Sequence, residues 1–168
     1  RGLSRSAAKS EAIELLDRVG IPQPTHRLEH YPHQLSGGQR QRVMIAMALS
    51  CGPDLLIADE PTTALDVTIQ KQILDLLRGL IDDLGMGLVL ISHDLGVVAE
   101  SVDQIIVMYG GAAVETGTTE TIFQELAHPY TQGLFGAVPR LGQRNREGKP
   151  VRLASIRGTV PELKDLPY

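Results

Sequence analysis

The sequence predicts an α/β fold in which a mostly parallel sheet is flanked by helices. Two short apolar runs, Leu55–Ala58 and Gly87–Ile91, have the length and continuity of strands buried on both faces. Between them, residues 68–84 place apolar side chains every three or four positions, the pattern of an amphipathic helix. We expect the two strands of this βαβ unit to be parallel, with a right-handed crossover.

The remaining elements follow from helix caps, prolines and glycines. In chain order they are a helix over residues 6–19 ending at Gly20, a loop over 21–27, a helix over 39–50 with Val43, Ala46, Met47 and Leu49 partly buried, a helix over 95–101 capped by Asp94, strands over 104–109 and 112–115, and a short helix over 119–126.

Two candidate ligand sites lie on either side of the helix predicted over residues 39–50. Before it, Ser36, Gly37 and Gly38 combine glycines, which let a backbone approach a ligand, with the free N–H groups of a helix start. After the next strand come Asp59 and Glu60, at the sheet edge where open α/β folds bind ligands. An anion site and an acidic site suited to Mg²⁺ together indicate phosphate-ester chemistry. Taken alone, the first could be a simple helix cap and the second two solvated carboxylates.

Four motifs in this region resemble those of ABC-type ATPases. Residues 35–42, LSGGQRQR, are similar to their signature motif, and residues 55–61, LLIADEP, resemble their Walker B strand with its following glutamate. Residues 64–66, ALD, are similar to their D-loop, and residues 91–94, ISHD, resemble their switch-histidine loop. This resemblance covers roughly residues 1–117 and implies part of a P-loop NTPase domain, with a mostly parallel sheet flanked by helices.

The resemblance implies ATP and Mg²⁺ as ligands and gives three residues roles on nucleotide bound to their own chain. Asp59 would hold Mg²⁺ through water, and Glu60 would act as general base on the attacking water. His93 would contact the γ-phosphate, although a lone histidine is more often structural.

A second set of residues would act across a head-to-tail dimer of ATPase subunits. Ser36, Gly37, Gly38 and Gln39 would bind the nucleotide held by the partner's phosphate loop, and Asp66 would reach across the dimer. The same resemblance implies transmembrane permease subunits as further partners, no nucleic acid, and a peripheral location on the cytoplasmic face of the cell membrane.

A separate, shorter resemblance narrows the subfamily. Residues 128–141, HPYTQGLFGAVPRL, are similar to the C-terminal extension of ATPases that serve oligopeptide, dipeptide and nickel importers. We therefore divide the chain into the end of a helical subdomain (1–53), the C-terminal half of an ATPase core (54–117) and an importer-type extension (118–168). No iron–sulfur site is assigned, because these 168 residues contain no cysteine cluster.

Composition is ordinary for a globular protein. The net charge is −4, so nothing global points to nucleic acid, and the single cysteine, Cys51, excludes an internal disulfide. No apolar run is long enough to span a bilayer.

No G-x-x-x-x-G-K-[ST] loop occurs, so we expect the chain to be the later part of an ATPase subunit and to be inactive alone. In this family the strand leading to that loop lies between the strands at residues 88–91 and 105–108. We expect those strands to pair directly, to rearrange, or to associate with another copy.

Several features leave alternatives open. His26, His30 and His33 are close enough in sequence for a metal site, but their proline-containing loop lacks cysteine partners and favours a structural role. Arg40 and Arg42 suit phosphate contacts and surface ion pairs equally well. The basic stretch over residues 140–157 is better explained as an exposed tail or partner-binding arm than as a binder of nucleic acid or anionic lipid. The competing functions are an ABC ATPase of nucleic-acid repair or translation, and a non-catalytic interaction fragment.

Overall fold

A computed structural model describes residues 2–138, which hold seven helices, one 3-10 turn and four strands. In chain order these are α1 (Arg5–Arg18), α2 (Pro24–Arg27), the 3-10 turn (Pro32–Gln34), α3 (Gly37–Leu49), β1 (Leu55–Asp59), α4 (Val67–Leu84), β2 (Gly87–Ile91), α5 (Leu95–Ser101), β3 (Gln104–Tyr109), β4 (Ala112–Thr118), α6 (Thr119–Glu125) and α7 (Pro129–Gly136). The chain divides into two compact units after His93, and each unit contains one two-stranded sheet.

The sheet of the first unit is the predicted parallel pair. Strands β1 and β2 run in register from Leu55 opposite Gly87 to Asp59 opposite Ile91. One face packs on the core, but Leu55 and Ile57 on the other face are 52% and 63% exposed. The prediction of strands buried on both faces is therefore wrong for the part of the chain that the structure describes. Among residues 2–138, no second layer of secondary structure covers the outer face. The side chains of β1 therefore alternate between the core and solvent.

Helix α4 contributes three residues to the core on the inner side of the sheet. It begins after Asp66, whose carboxylate accepts the Ile69 N–H, and ends at Gly85, which adopts the left-handed φ of 63° typical of a helix end. Ile73, Leu77 and Leu80 are almost fully buried against side chains of α1, α3 and β1. The apolar stripe stops one turn early, since Leu84 at the end of the helix is exposed.

Helices α1 and α3 complete this core. Ser4 caps α1, and the helix ends at Val19 with Gly20 in a left-handed conformation (φ 72°), as predicted. Helix α3 begins at Gly37, earlier than predicted, because Ser36 caps it. Met47 was predicted to be partly buried but is 68% exposed. Ala46 and Leu49, in contrast, are buried, and so is Ile45, which the prediction had not placed in the core.

The predicted loop over residues 21–27 contains a short helix instead. Gln23 adopts a left-handed conformation (φ 52°), and Pro24 then occupies the first helical position of α2. Proline suits that position because its fixed φ matches a helix and its missing N–H would have no helical acceptor there. The prolines that indicated a loop therefore start a turn of helix.

Over residues 94–138, the second unit is an antiparallel pair of strands with three helices. Strands β3 and β4 pair around residues 110–111, with an irregularity between Val107 and Met108, and β4 extends to Thr118, three residues beyond its predicted end. Asp94 caps α5 as predicted, through the N–H groups of Gly96 and Val97.

A carboxylate of this second unit joins α7 to its sheet. The Glu115 carboxylate on β4 accepts the backbone N–H groups of Ala127 and His128 at 3.0 and 3.1 Å. The rings of Tyr109 and Tyr130 lie 4.5 Å apart between centroids, which adds an aromatic contact between β3 and α7.

The predictions for the basic stretch fall outside the described residues. Within residues 2–138, no helix combines the length and apolar character needed to cross a membrane. Over the same residues, no group of three or more histidine, cysteine or acidic side chains could hold a metal ion, and the His30 ring instead bonds the His26 carbonyl oxygen.

Candidate active site

Glu60 is the first residue after β1 and is held by its own backbone. Its N–H donates to the Ile91 carbonyl oxygen at 2.9 Å, which extends the ladder between the two parallel strands by one residue. Its carbonyl oxygen accepts the Thr63 N–H at 3.1 Å, closing a turn through Pro61 and Thr62. The residue has φ 45°, a left-handed conformation that is unfavourable for a side chain of this size and is often found at functional sites.

His93 meets Glu60 at the carboxyl edge of the two parallel strands. Its Nδ1 lies 2.9 Å from Glu60 Oε1, although the two residues are 33 positions apart in sequence. Because an ionised carboxylate only accepts hydrogen bonds, Nδ1 carries the proton in this contact. The other nitrogen, Nε2, is then an acceptor in the neutral ring and a donor only in the imidazolium. His93 can therefore hold Glu60 and a phosphate oxygen at once only in its charged form.

Both oxygens of the Glu60 carboxylate are occupied. Thr63 Oγ1 donates to Oε2 at 2.8 Å, while His93 holds Oε1. The hydrogen bond from His93, followed by that from Thr63, lowers the pKa of the Glu60 carboxyl below its usual range. The group therefore stays ionised at neutral pH, as a proton acceptor requires.

Asp59 is the last residue of β1 and lies opposite Ile91 in the register, at the same sheet edge as Glu60. The structure shows an exposed carboxylate there, which is compatible with a nucleotide-bound Mg²⁺ ion. Such an ion takes one or two carboxylates and completes its octahedron with waters and phosphate oxygens, so it needs no cage of protein ligands. Asp59 is exposed and available for that role.

Residues 36–39, here called the signature turn, begin α3 and are closely packed on the start of α4. Ser36 and Gln39 form a reciprocal capping box, in which each side chain accepts the other residue's backbone N–H. A β-carbon on Gly37 would lie 3.2 Å from a Leu65 methyl, and one on Gly38 would lie 2.7 Å from an Ile69 methyl. A side chain at Gly38 would therefore force Ile69 to shift, and one at Gly37 would need Leu65 to move by a few tenths of an ångström, whatever the turn binds.

The D-loop residue Asp66 has a local structural role. Its carboxylate caps α4, accepting the Ile69 N–H at 3.0 Å. The loop before it places Ala64 in a left-handed conformation (φ 61°) and buries Thr62, whose carbonyl oxygen accepts the Gln70 side chain. Leu65, next to Asp66, is the residue that limits the space at Gly37, so the D-loop and the signature turn are in direct contact.

Arg42 makes a contact within the chain that its sequence position did not indicate. Its Nη1 donates to the Val19 carbonyl oxygen at 2.6 Å, where α1 ends. A β-carbon on Gly20 would lie 2.9 Å from the same nitrogen, so glycine leaves room for the guanidinium. Arg42 thus connects the second turn of α3 to the C-terminus of α1, and its hydrogen bond is to a carbonyl rather than a carboxylate or phosphate.

The structure brings some of the predicted site residues together and leaves others apart. Asp59, Glu60 and His93 share one sheet edge, as the βαβ pattern predicted. Ser36 caps α3, and Gly37, Gly38 and Gln39 form its first turn. Gly37 approaches Leu65 of the D-loop, and Gly38 approaches Ile69 of α4. Sequence analysis missed Thr63. Its spacing of three from Glu60, with a proline between them, is the signal of a tight turn that could have identified it.

Comparison with known proteins assigns two parts of the chain. The profile of the ABC transporter family matches residues 3–63, and that of the oligopeptide/dipeptide transporter C-terminal region matches residues 114–168. A protein of Brucella melitensis named as a peptide import ATP-binding protein is 55% identical over 170 residues, covering 99% of this chain and 50% of the relative. A Brucella abortus protein with the same description is 55% identical over 161 residues, 96% of this chain and 47% of the relative. The chain spans about half the length of these relatives.

Solved structures support the same assignment. The dimeric post-hydrolysis structure of the ATP-binding cassette MJ0796, bound to ADP and Pi, matches with a TM-score of 0.61 at 33% identity, covering 71% of this chain and 50% of that one. A second dimeric structure of that bacterial ABC transporter cassette gives 0.60 at 35% identity, with the same coverage. These matches confirm the predicted fold class, and the chain belongs to the ATP-binding family of ABC transporters, with a C-terminal region of the peptide-importer type.

Proposed function

We propose that this chain is the later part of an ATPase subunit that powers an importer of peptides or related small solutes. The observation that carries the proposal is the pairing of Glu60 with His93 at the carboxyl edge of two parallel strands. It places an ionised carboxylate and an imidazole where α/β proteins bind ligands. The relatives' description as peptide import ATP-binding proteins supports the direction of transport and the substrate class.

In this mechanism Glu60 accepts the proton of the attacking water, and His93 contacts the γ-phosphate. An imidazolium can donate to Glu60 and to the γ-phosphate at once, whereas a neutral His93 can donate to the phosphate only by giving up its bond to Glu60. The pair is therefore sensitive to the presence of phosphate. Asp59 would hold Mg²⁺, which neutralises charge on the phosphates when it is bound. The ATP itself would be held by a phosphate-binding loop, a motif that does not occur in these 168 residues.

Ser36, Gly37, Gly38 and Gln39 act on nucleotide bound to a second ATPase subunit. These residues, the signature turn, cap and begin a thirteen-residue helix, and the start of a helix attracts phosphate. Asp66 is next to this turn through Leu65, so both belong to the face that meets the partner. The transporter's other subunits would be transmembrane permeases, and the ATPase would lie against the cytoplasmic face of the membrane.

Replacement of Glu60 by glutamine tests the proposal in the intact cassette that carries these residues. We expect Glu60→Gln to retain ATP binding and to lower turnover at least 100-fold, since the size is kept and the proton acceptor is lost. Glu125→Gln, at an exposed position ending α6, is the matched control and should be active. Turnover at the wild-type rate in Glu60→Gln would remove Glu60 from the role of base.

Ser36 separates the cross-dimer role from the helix cap. Ser36→Arg should prevent the closed dimer by crowding the partner's phosphates, whereas Ser36→Thr keeps a capping hydroxyl and should dimerise. Equal dimerisation of the two variants with ATP, measured by light scattering, would contradict the role. The chain by itself should release no phosphate from ATP, and release that disappears in Glu60→Gln would show this expectation to be wrong.

A further inference from the structure

Thr63 contacts Glu60 twice, once through the backbone and once through the side chain. Its N–H donates to the Glu60 carbonyl oxygen at 3.1 Å, and its hydroxyl donates to Oε2 at 2.8 Å. The turn that brings the two residues together contains Pro61, whose ring fixes one of its φ angles. Thr63 therefore approaches the carboxylate from a rigid turn rather than from a mobile loop.

The two hydrogen bonds to the carboxylate come from different segments of the chain. His93 holds Oε1 from the end of β2, and Thr63 holds Oε2 from the turn after β1. With both oxygens held, the plane of the carboxylate is fixed. An ionised carboxylate has about four acceptor positions, so about two remain free for a water molecule. Holding the group in this way does not block it as a base.

We propose that Thr63 is a positioning residue for the hydrolytic reaction: its hydroxyl orients the Glu60 carboxylate so that a free lone pair faces the attacking water. This inference rests on the proposed function, because it assigns Glu60 the role of base. Thr63 itself touches neither the water nor the phosphate. The Glu60 side chain is 45% exposed. Apart from its hydrogen bonds to His93 and Thr63, little packing among the described residues therefore fixes its orientation.

The test compares variants of Thr63 in the intact cassette. Thr63→Val keeps the branched shape and the backbone N–H of the turn but removes the hydroxyl, and Thr63→Ser keeps the hydroxyl. We expect kcat of Thr63→Val to fall about tenfold, with KM for ATP changed less than about twofold, because a misplaced base slows the reaction without weakening nucleotide binding. Thr63→Ser should recover kcat to within about threefold of wild type. Thr116→Val, an exposed threonine of β4, controls for the substitution itself.

A measurement on the present chain tests the geometry without ATP. Side-chain couplings of Glu60, measured by NMR at neutral pH, should indicate one rotamer in wild type and Thr63→Ser and rotamer averaging in Thr63→Val. If Thr63→Val does not fold, Thr63→Ala removes the same donor and is used in both experiments.

The outcomes separate the inference from the function on which it rests. A Glu60→Gln cassette without turnover, together with a slow Thr63→Val and an active Thr63→Ser, supports both. Loss of turnover in Glu60→Gln with wild-type kcat in Thr63→Val overturns the positioning role alone, as does an equal loss in the valine and serine variants. Full turnover in Glu60→Gln overturns the proposed function, and the inference with it.

Discussion

A methyl group of Ile69 lies 2.7 Å from the point where a β-carbon on Gly38 would have to be. Real β-carbons almost never approach another atom so closely. The second glycine of the signature turn thus has a reason to be glycine that is independent of any ligand. This contact also fixes the turn against the first turn of α4, which Asp66 caps.

The contact predicts that Gly38→Ala destabilises the chain. In a helix, replacing glycine with alanine ordinarily gains up to about 1 kcal/mol, but overpacking costs about 1–3 kcal/mol. We expect the clash to prevail and the free energy of unfolding to fall by about 1–2 kcal/mol in urea titrations. In an Ile69→Ala background the methyl is gone, and Gly38→Ala should become neutral or stabilising. If Gly38→Ala left the free energy of unfolding unchanged in both the wild-type and the Ile69→Ala background, this packing would be contradicted.

The hydrogen bond of Arg42 predicts that replacing this residue lowers the stability of the chain rather than its binding of phosphate. Its charged hydrogen bond to the Val19 carbonyl oxygen satisfies a group at the end of α1, and bonds of this kind are worth about 1.5–3 kcal/mol. Because Arg42 is only partly buried, we expect Arg42→Met to lower the free energy of unfolding by about 1–2 kcal/mol. Arg40→Met, at the exposed position two residues earlier, should change it by less than about 0.5 kcal/mol. Equal stability of the two variants would return Arg42 to the surface or phosphate roles.

Glu115 predicts an acid-sensitive attachment of α7 within the second unit. Its pKa is lowered from 4.5, first by the nearby Thr131 hydroxyl and then by the His128 and Ala127 N–H groups. The backbone N–H groups of Ala127 and His128 form hydrogen bonds with the carboxylate. The buried Thr131 hydroxyl forms no hydrogen bond with any of the described residues. A lowered pKa in the folded state means that the carboxylate stabilises the fold above pH 4.5 and that this stabilisation is lost as the pH falls through the folded value.

Hydrogen exchange at Ala127 and His128 measures this attachment. In wild type we expect protection near pH 6 that declines below pH 4.5, after correction for the intrinsic exchange rate. Glu115→Gln offers one neutral acceptor in place of two charged oxygens, so it should show weak protection at both pH values. Glu125→Gln should behave as wild type. An identical pH profile in Glu115→Gln would assign the acid sensitivity to another group.

Local patterns predicted most of the fold because their physical causes are local. Asp94 and Gly20 mark helix ends through contacts within a few residues, and the apolar stripe of α4 follows its own period. The placement of Glu60 and His93 at one edge was also predictable, because parallel strands bring their carboxyl ends together, but their hydrogen bond was not predicted. Contacts that depend on chain packing were not predictable: Arg42 reaches a carbonyl oxygen 23 residues away, and Ile69 restricts Gly38 from another helix.

Burial was the least predictable property, because it depends on what lies outside an element. Ile57 is apolar and next to buried neighbours, yet it is 63% exposed. Its sequence indicates a covered strand, and only the absence of a second layer among the described residues explains the difference. The same holds for Met47 on α3, whose outer side no described element covers.

The exposed sheet face predicts self-association of this chain. The face consists of Leu55, Ile57, Val89 and Ile91, all between 44% and 63% exposed, on strands that pair only with each other among residues 2–138. Apolar patches and unpaired strand edges both recruit other chains. We expect light scattering to show dimers or larger species and hydrogen exchange to show protected amides in β2.

A charged pair on that face gives the decisive variant. Ile57 lies opposite Val89 in the register, so Ile57→Lys combined with Val89→Glu places opposite charges across the strands and keeps the sheet while removing its apolar centre. This double variant should be monomeric at concentrations where wild type associates. Met47→Lys, which removes an exposed apolar side chain from α3, should associate as wild type does. A monomeric wild-type chain with rapid exchange throughout β2 would show that the exposed face does not drive association.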